Sequence, residues 1–336
     1  MDFKVIIVIL QIDLVNPYLS KLIILFLLIT PFCKKQFYMG KIVLQLFMFC
    51  FLTLKLSAQM PNDAIYMPKN TICIATSYSQ NSWKEYWENT LKRENLNMGK
   101  VSTQSVMTMA AIGIKNNFNI IAGVPYIWTK TSQGNLMGQK GIQDFMFWAK
   151  YKMIENKGLS MHSAVGASIP ISNYIPDFLP LSIGLQTKTA TGRIIANYLN
   201  KSGLYFTAHA SYVLRSNIYV DRDAYQADNK VYNSNEVRVP NATDVSAKLG
   251  WMKNESRIQT ELFIERFACV GGDNIRRNDM PFPSNNMQMT SAGFYGKFQP
   301  KNIGINLRIA KVLDGLNIGK STSYSIGFLY LITSKK

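Results

Sequence analysis

The chain offers few side chains for acid–base or nucleophilic chemistry. It contains two histidines, His162 and His209. His209 and Ser211 have the types needed for a base and a nucleophile, but such a pair also needs a third residue to orient the base. The sequence places no asparagine or aspartate at a spacing that supplies it. Alternation puts each histidine with hydroxyl residues on a polar face, so we expect hydrogen-bond networks there and no catalytic residue.

Motifs for metals and cofactors are absent from the sequence. It has no phosphate-binding loop, no nucleotide fingerprint and no cluster with metal-ligand spacing. Cys33 and Cys50 lie in the apolar N-terminal region, and the spacing of Cys73 and Cys269 matches no metal motif. We therefore predict no cofactor, no metal and two isolated thiols, with a disulfide between these two as the alternative.

The body of the chain alternates between apolar and polar residues. In the clearest case Ile303, Ile305, Leu307 and Ile309 take one face, and the residues between them take the other. Alternating stretches separated by Gly, Asn, Asp, Ser and Lys are typical of β-strands joined by turns. The candidate strands are residues 71–79, 103–114, 119–128, 144–153, 159–169, 193–199, 204–215, 243–251, 258–264, 287–298, 303–310 and 323–330.

These strands predict an all-β fold, a single antiparallel transmembrane β-barrel of about 12 strands. A soluble sandwich also alternates, but it seldom needs strands this long or places aromatic residues so often at their ends. In lipid every backbone polar group must be paired, so the sheet must close. The aromatic residues expected at the two membrane interfaces are Tyr126, Trp128, Trp251, Phe298, Tyr324 and Tyr330.

Charged residues fall on the polar faces of the predicted strands. A charge that faces lipid at the midplane costs about 2–4 kcal/mol, so these side chains must face water or each other. An interior so crowded with opposite charges predicts a narrow or partly plugged lumen. The residues assigned to the lumen and the transport pathway are Asp144, Lys150, Lys152, His162, His209, Arg215, Asp244, Lys248, Arg257, Glu261 and Arg308. Glu265 is predicted to line the interior with them.

The N-terminal region has the composition of an export signal. Residues 1–58 contain three apolar stretches, each shorter than the roughly 20 residues that span a bilayer as a helix. The third follows Met39-Gly40-Lys41 and ends at Ala58. A basic residue, an apolar stretch and a small residue at the cleavage position, in this order, are typical of a signal peptide. We predict an upstream extension in residues 1–38, a signal peptide in 39–58 and the barrel in 59–336. An N-terminal membrane anchor is the alternative.

Residues 169–181 should leave the sheet as a loop, because the three prolines in this range cannot donate to a strand ladder. Tyr174, Ile175 and Phe178 make the loop too apolar for free solvation. It either folds into the barrel mouth or lies at the membrane interface. We assign these three residues to a mouth loop that captures the solute.

Several segments resemble a known family. The sharpest one is residues 132–144, which lead into a predicted strand. They contain Ser132-x-Gly134, then Gly138, then Gly141-x-Gln143-Asp144. The segments 77–99, 123–145, 166–184, 192–198 and 221–225 together resemble the outer-membrane barrel family named after the meta-pathway of phenol degradation. That family is loosely related to channels for fatty acids and aromatic hydrocarbons. The resemblance covers roughly residues 70–335 and implies passive, porin-like uptake of small apolar or aromatic compounds.

The predicted function is an uptake channel, not an enzyme, in the cell outer membrane. A structural or adhesive barrel without transport is one alternative, and an outer-membrane phospholipase-like enzyme built on His209 and Ser211 is another. The net charge is +17, yet no nucleic-acid motif is present, so anionic lipopolysaccharide is the expected partner of the cations and nucleic acid is not. Membrane lipid, a small-molecule solute and the barrel assembly machinery complete the expected partners.

Overall fold

The computed structural model describes residues 60–254, 256–275 and 279–333. The predicted extension 1–38 and signal peptide 39–58 lie outside these residues. Among the described residues, no helix is long and apolar enough to cross a membrane.

The described residues form nineteen β-strands. In chain order they are β1 (Thr71–Trp83), β2 (Glu85–Glu88), β3 (Leu91–Glu94), β4 (Val101–Lys115), β5 (Phe118–Thr131), β6 (Lys140–Ile142), β7 (Asp144–Asn156), β8 (Leu159–Pro170), β9 (Thr189–Leu199), β10 (Leu204–Arg215), β11 (Ile218–Tyr219), β12 (Tyr225–Ala227), β13 (Lys230–Tyr232), β14 (Glu236–Val237), β15 (Asn241–Lys253), β16 (Ile258–Val270), β17 (Gln288–Phe298), β18 (Ile303–Leu316) and β19 (Thr322–Thr333).

Twelve of these strands close into one antiparallel barrel. Around the wall the order is β1, β4, β5, β7, β8, β9, β10, β15, β16, β17, β18 and β19, and β19 pairs back onto β1. Each of the twelve segments predicted from alternation falls on one of these strands. The predicted fold class and strand number are therefore confirmed.

The two ends of the barrel differ in their connections. At one end, here the short-turn end, neighbouring strands are joined by tight turns such as Lys157–Gly158, where both residues have positive φ (46° and 88°). Such two-residue turns match the twist of the strands they join. The other end, here the long-loop end, carries the seven short strands. Bacterial outer-membrane barrels have short periplasmic turns and longer extracellular loops.

The alternation sorts side chains between the two faces of the wall. On β18, Ile305 and Leu307 are 54% and 42% exposed on the outer face, while Gly304 and Ala310 are buried on the inner face. The predicted interfacial aromatics also lie on the outer face, since Tyr126, Trp128, Trp251, Phe298, Tyr324 and Tyr330 occupy its positions on their strands. A band of exposed apolar side chains is what lipid requires.

Arginine at position 307 should be far more damaging than arginine at position 306. Leu307 faces lipid, so Leu307→Arg should cost about 2–4 kcal/mol of barrel stability. Asn306 faces the lumen, where the new charge can reach water or a carboxylate. Folded and unfolded fractions of each variant can be compared by the heat-dependent mobility of the protein in detergent gels. Equal losses for the two variants would contradict the assigned faces.

Candidate functional site: the barrel lumen

Residues 60–70, which precede β1, enter the lumen from the short-turn end. We call them the N-terminal segment. Lys150 on β7 is completely buried and holds this segment. Its Nζ donates to the carboxylate of Asp63 (2.7 Å) and to the backbone carbonyls of Met60 (3.2 Å) and Ile65 (3.0 Å). All three donors of the ammonium are therefore used on one short stretch of chain.

Tyr66 in the N-terminal segment makes a second contact with the wall. Its ring stacks on His162, with centroids 5.3 Å apart, and its hydroxyl lies 3.2 Å from His162 Nδ1. The other ring nitrogen of His162 lies 2.9 Å from the Ser160 hydroxyl. Burial, with the Asp63 carboxylate nearby, raises the pKa of the Tyr66 hydroxyl well above its usual range. Tyr66 therefore stays a neutral hydrogen-bonding group.

The N-terminal segment also contributes to a cluster of apolar residues, which we call the apolar seal. Met67 is fully buried at its centre, and Ile65 packs against its edge. The wall residues in the apolar seal are Cys73, Ala111, Ile121, Leu329 and Leu331.

Cys73 and Cys269 are both free thiols, as the sequence predicted.

A chain of hydrogen bonds runs along the inner face of the neighbouring strands β9, β10 and β15, at the middle of the wall. The carboxylate of Asp244 accepts from Arg193 Nη2 (2.9 Å) and lies 3.1 Å from His209 Nε2. His209 Nδ1 lies 2.7 Å from the Ser246 hydroxyl. Arg193 Nε also donates to the Ser211 hydroxyl at 2.7 Å. Serine, histidine and aspartate thus meet, but the serine is Ser246 and not Ser211.

The backbone around Ser246 is fully engaged in the sheet. Ser246 lies inside β15, whose residues pair with β10 on one side and β16 on the other. Backbone N–H groups on both sides of Ser246 are used in the ladders and cannot form an oxyanion hole. The geometry therefore supports a structural polar network.

Most other charged residues of the lumen also have a polar or charged neighbour. Arg308 Nη2 donates to Glu265 (2.5 Å) and its guanidinium lies over the Phe263 ring. Lys248 lies 3.8 Å from Glu261. Lys152 pairs with its neighbour Glu155 beside the short-turn end, and Arg215 Nη1 donates to the carbonyl of Pro240 at the long-loop end.

Arg257 is a correction to the predicted set. It lies in the turn that precedes β16, and its guanidinium donates to the carbonyl of Pro300 in the neighbouring turn. Because the chain reverses before Ile258, this side chain belongs to the rim and does not line the lumen.

Three charged residues of the lumen were missing from the predicted set. Arg193 on β9 and Lys297 on β17 follow the same alternation as the predicted lumen residues. Both could therefore have been predicted from the sequence. Asp63 has no such signal, because it lies in the irregular N-terminal segment.

The mouth loop folds inward at one of its three predicted residues. Tyr174 is buried, and its hydroxyl donates to Asp144 (2.7 Å) and accepts from the backbone N–H of Gln186 (2.9 Å). Burial and the Asp144 carboxylate raise the pKa of Tyr174, which keeps the hydroxyl a donor. Ile175 is 59% exposed and Phe178 is half-buried, so these two side chains are less enclosed than Tyr174.

The four adjacent strands β19, β1, β4 and β5 form a wall without charged side chains on its inner face, here the neutral wall. Many of its inward-facing residues are only half-buried. Because their side chains point into the barrel, the surface that they expose must face open space in the lumen. Examples are Ser77, Ser79, Ser105, Met107, Met109 and Ser325. On the opposite wall Lys150, His162, His209, Lys248, Glu261 and Lys297 are all buried. Open space in the lumen therefore lies against the neutral wall, and it extends to Asp244, Glu265 and Arg308, which are half-buried on the opposite wall.

Among the described residues, no group of three or more His, Cys, Asp or Glu side chains could hold a metal ion. The acidic residues of the lumen are instead engaged by lysine, arginine, histidine or tyrosine.

The fold is shared with known outer-membrane channels. An outer-membrane channel from Pseudomonas putida F1 superimposes with a TM-score of 0.65 at 11% identity, over 82% of this chain and 100% of that chain. The NanC porin gives a TM-score of 0.44 at 9% identity, over 76% of this chain and 98% of that chain. No protein-family model and no curated protein matches the chain. At 11% identity the likeness to the Pseudomonas channel concerns the fold alone.

Proposed function

We propose that the protein is a passive channel of the outer membrane for small apolar or aromatic solutes. The observation that carries this proposal is the neutral wall, where half-buried hydroxyl residues and methionines line the lumen without a charged side chain. A solute that moves along the neutral wall meets small hydroxyl residues and methionines, and it need not displace a charge pair. The resemblance to the phenol meta-pathway barrel family agrees with this solute class.

The route proposed here starts at the mouth loop and ends at the apolar seal. Ile175 and Phe178 offer apolar surface at the long-loop end, and the neutral wall leads from there towards Met67. Since no energy-coupling motif is visible in the sequence, movement should follow the concentration gradient. Passage into the periplasm then requires displacement of the N-terminal segment.

A tryptophan on the neutral wall should block uptake. Ser105 faces the lumen, with its hydroxyl 2.7 Å from that of Ser79, so Ser105→Trp places an indole in the open part of the lumen. Uptake of labelled toluene and decane by cells that make this variant should fall to the level of cells without the protein. Thr108→Trp puts the same indole on the outer face of the same strand and should leave uptake unchanged. Wild-type uptake in cells without the protein would rule out the channel.

A structural or adhesive barrel is the second candidate, and the closed short-turn end favours it. The Lys150–Asp63 pair and the apolar seal fill the lumen at this end. A barrel that serves only as a scaffold would keep this closure permanently, whereas a channel must open it.

The surroundings of the barrel are part of the same proposal. Exposed cations lie on the outer face near the long-loop end, at Lys130, Arg266 and Lys311. Phosphate groups of lipopolysaccharide would lie at this level of an outer-membrane barrel, so we propose it as their partner. The barrel assembly machinery would fold the closed sheet.

A further inference from the structure

A cavity of about 240 Å³ lies beside the N-terminal segment, near the short-turn end. Residues 63–66 form one side, and strands β9, β10, β15 and β16 form the other. Ile65, Leu199 and Met252 give it apolar surface, and the polar surface includes Lys248 and Glu261. No step of the route along the neutral wall uses this cavity.

The acidic residues of the cavity already have donors. Glu261 accepts from the Tyr205 hydroxyl (2.6 Å) and from Gln259 Nε2 (3.2 Å). Asp63 accepts from Lys150, as described above. Neither carboxylate therefore needs a cation from a ligand.

Lys248, which lines the cavity, and Lys297, which contacts one of its lining residues, are less well satisfied. Lys248 is only 6% exposed, yet its Nζ lies 3.8 Å from Glu261, which is longer than a hydrogen bond. Among the described residues this is the one ion pair of Lys248. Lys297, 4% exposed, donates to the hydroxyl of Ser256, a residue that lines the cavity. Buried ammonium groups have three donors each and are costly when these lack acceptors.

We propose that this cavity binds a small organic monocarboxylate, with its carboxylate on Lys248 and its apolar body on Ile65, Leu199 and Met252. A charged acceptor within hydrogen-bond distance is the group that Lys248 lacks, and a carboxylate supplies it. Pockets for drug-sized ligands hold roughly 300–1,000 Å³, so a smaller cavity fits a molecule on the order of ten heavy atoms. The binding stands on the cavity alone and does not depend on the proposed channel function.

Benzoate and benzamide test the proposal as a matched pair of probes. They have the same shape, and benzamide lacks the charge. Calorimetric titration of the purified full chain in detergent micelles should show one benzoate per protein. Benzamide should bind about ten- to a hundredfold more weakly, the range expected for a hydrogen bond between charged groups. Equal affinities for the two probes would overturn the assignment of the site to carboxylates.

Two substitutions at Lys248 locate the site. Lys248→Met keeps the length of the side chain, removes the ammonium and should abolish the preference for benzoate. Lys248→Arg keeps the charge and should retain it in part. Glu261 keeps Tyr205 and Gln259 as donors in both variants, and heat-dependent gel mobility verifies that each is folded. Lys311→Met makes the same change on the outer face of β18 and should bind benzoate as the wild type does.

The results separate the site from the channel. Unchanged benzoate binding in Lys248→Met, or equal loss in Lys311→Met, would contradict a site at Lys248. If the wild type binds no benzoate while toluene uptake is normal, this inference fails and the channel stands. If benzoate binds and no solute is taken up, the site stands and the channel fails.

Discussion

Replacing Asp63 with asparagine should release the N-terminal segment and open the short-turn end of the barrel. The substitution leaves Lys150, which is completely buried, without its only carboxylate at hydrogen-bond distance among the described residues. Removing one partner of a buried ion pair costs about 3–5 kcal/mol. Because the N-terminal segment is not part of the sheet, this cost weakens its docking before it weakens the barrel. The docking equilibrium should shift by roughly a hundred- to a few thousandfold, since about 1.4 kcal/mol is a factor of ten.

Single-channel recordings in planar bilayers can measure the opening. The wild type should show a low conductance, and Asp63→Asn should show a larger one for most of the recording time. Glu155→Gln is the matched control, because it breaks the Lys152–Glu155 pair at the same end, where the glutamate side chain is 62% exposed. An exposed pair contributes about 0–1 kcal/mol, so this control should behave as the wild type.

A double variant distinguishes an ionic latch from a general loss of packing. Asp63→Asn with Lys150→Met removes both charges, so no buried ammonium is left unpaired, and the segment should dock again with lower conductance than Asp63→Asn alone. If the single and double variants conduct equally, the ion pair does not control the closure. An unchanged conductance in Asp63→Asn would show that the apolar seal alone holds the segment.

The wall of the barrel could be predicted from the sequence because each strand is specified by local alternation. On β7, Phe145 and Phe147 face lipid, whereas Asp144 and Lys150 face the lumen, as a period of two requires. A register shift by one residue would reverse every side chain, so the pattern also fixes the faces. These properties depend on neighbours in sequence, which a single chain displays.

The partners of the lumen residues could not be predicted, because they come from distant parts of the chain. Lys150 was identified as an inward cation, but Asp63 lies 87 residues earlier in a segment without alternation. Ser246 meets His209 across a strand pair and not at the two-residue spacing that drew attention to Ser211. The prediction for Arg257 was wrong because alternation does not show where a strand begins. Strand β16 begins at Ile258, so Arg257 lies in the preceding turn and outside the lumen.

Replacing Asp244 with alanine should destabilise the barrel more than any other single change in the middle of the lumen. Its carboxylate accepts from Arg193 on β9 and lies against His209 on β10, so it joins three strands. Arg193 has a side chain only 9% exposed and would lose its carboxylate. Such a loss costs about 3–5 kcal/mol when both partners are buried, and the 28% exposure of Asp244 places the effect near 3 kcal/mol.

Urea unfolding in lipid vesicles, followed by tryptophan fluorescence, measures this loss as a fall in the free energy of unfolding. Asp177→Ala is the control, because it removes the partner of Arg222 in the loops, where the arginine side chain is 50% exposed. That pair should contribute about 0–1 kcal/mol. Equal losses for Asp244→Ala and Asp177→Ala would contradict a buried network at Asp244.

Ser246→Ala decides whether this network is structural or catalytic. A structural serine contributes one hydrogen bond to His209, so the variant should lose about 0.5–1.5 kcal/mol of stability and nothing else. A catalytic serine would react with a fluorophosphonate probe in the wild type and lose that reaction in the variant. We expect no labelling of the wild type, because Ser246 is buried within a fully paired strand and Asp244 lies on the ring nitrogen opposite to the one that the triad of chymotrypsin-like proteases uses. Labelling that disappears in Ser246→Ala would instead make the lumen an active site and overturn the structural interpretation of the network.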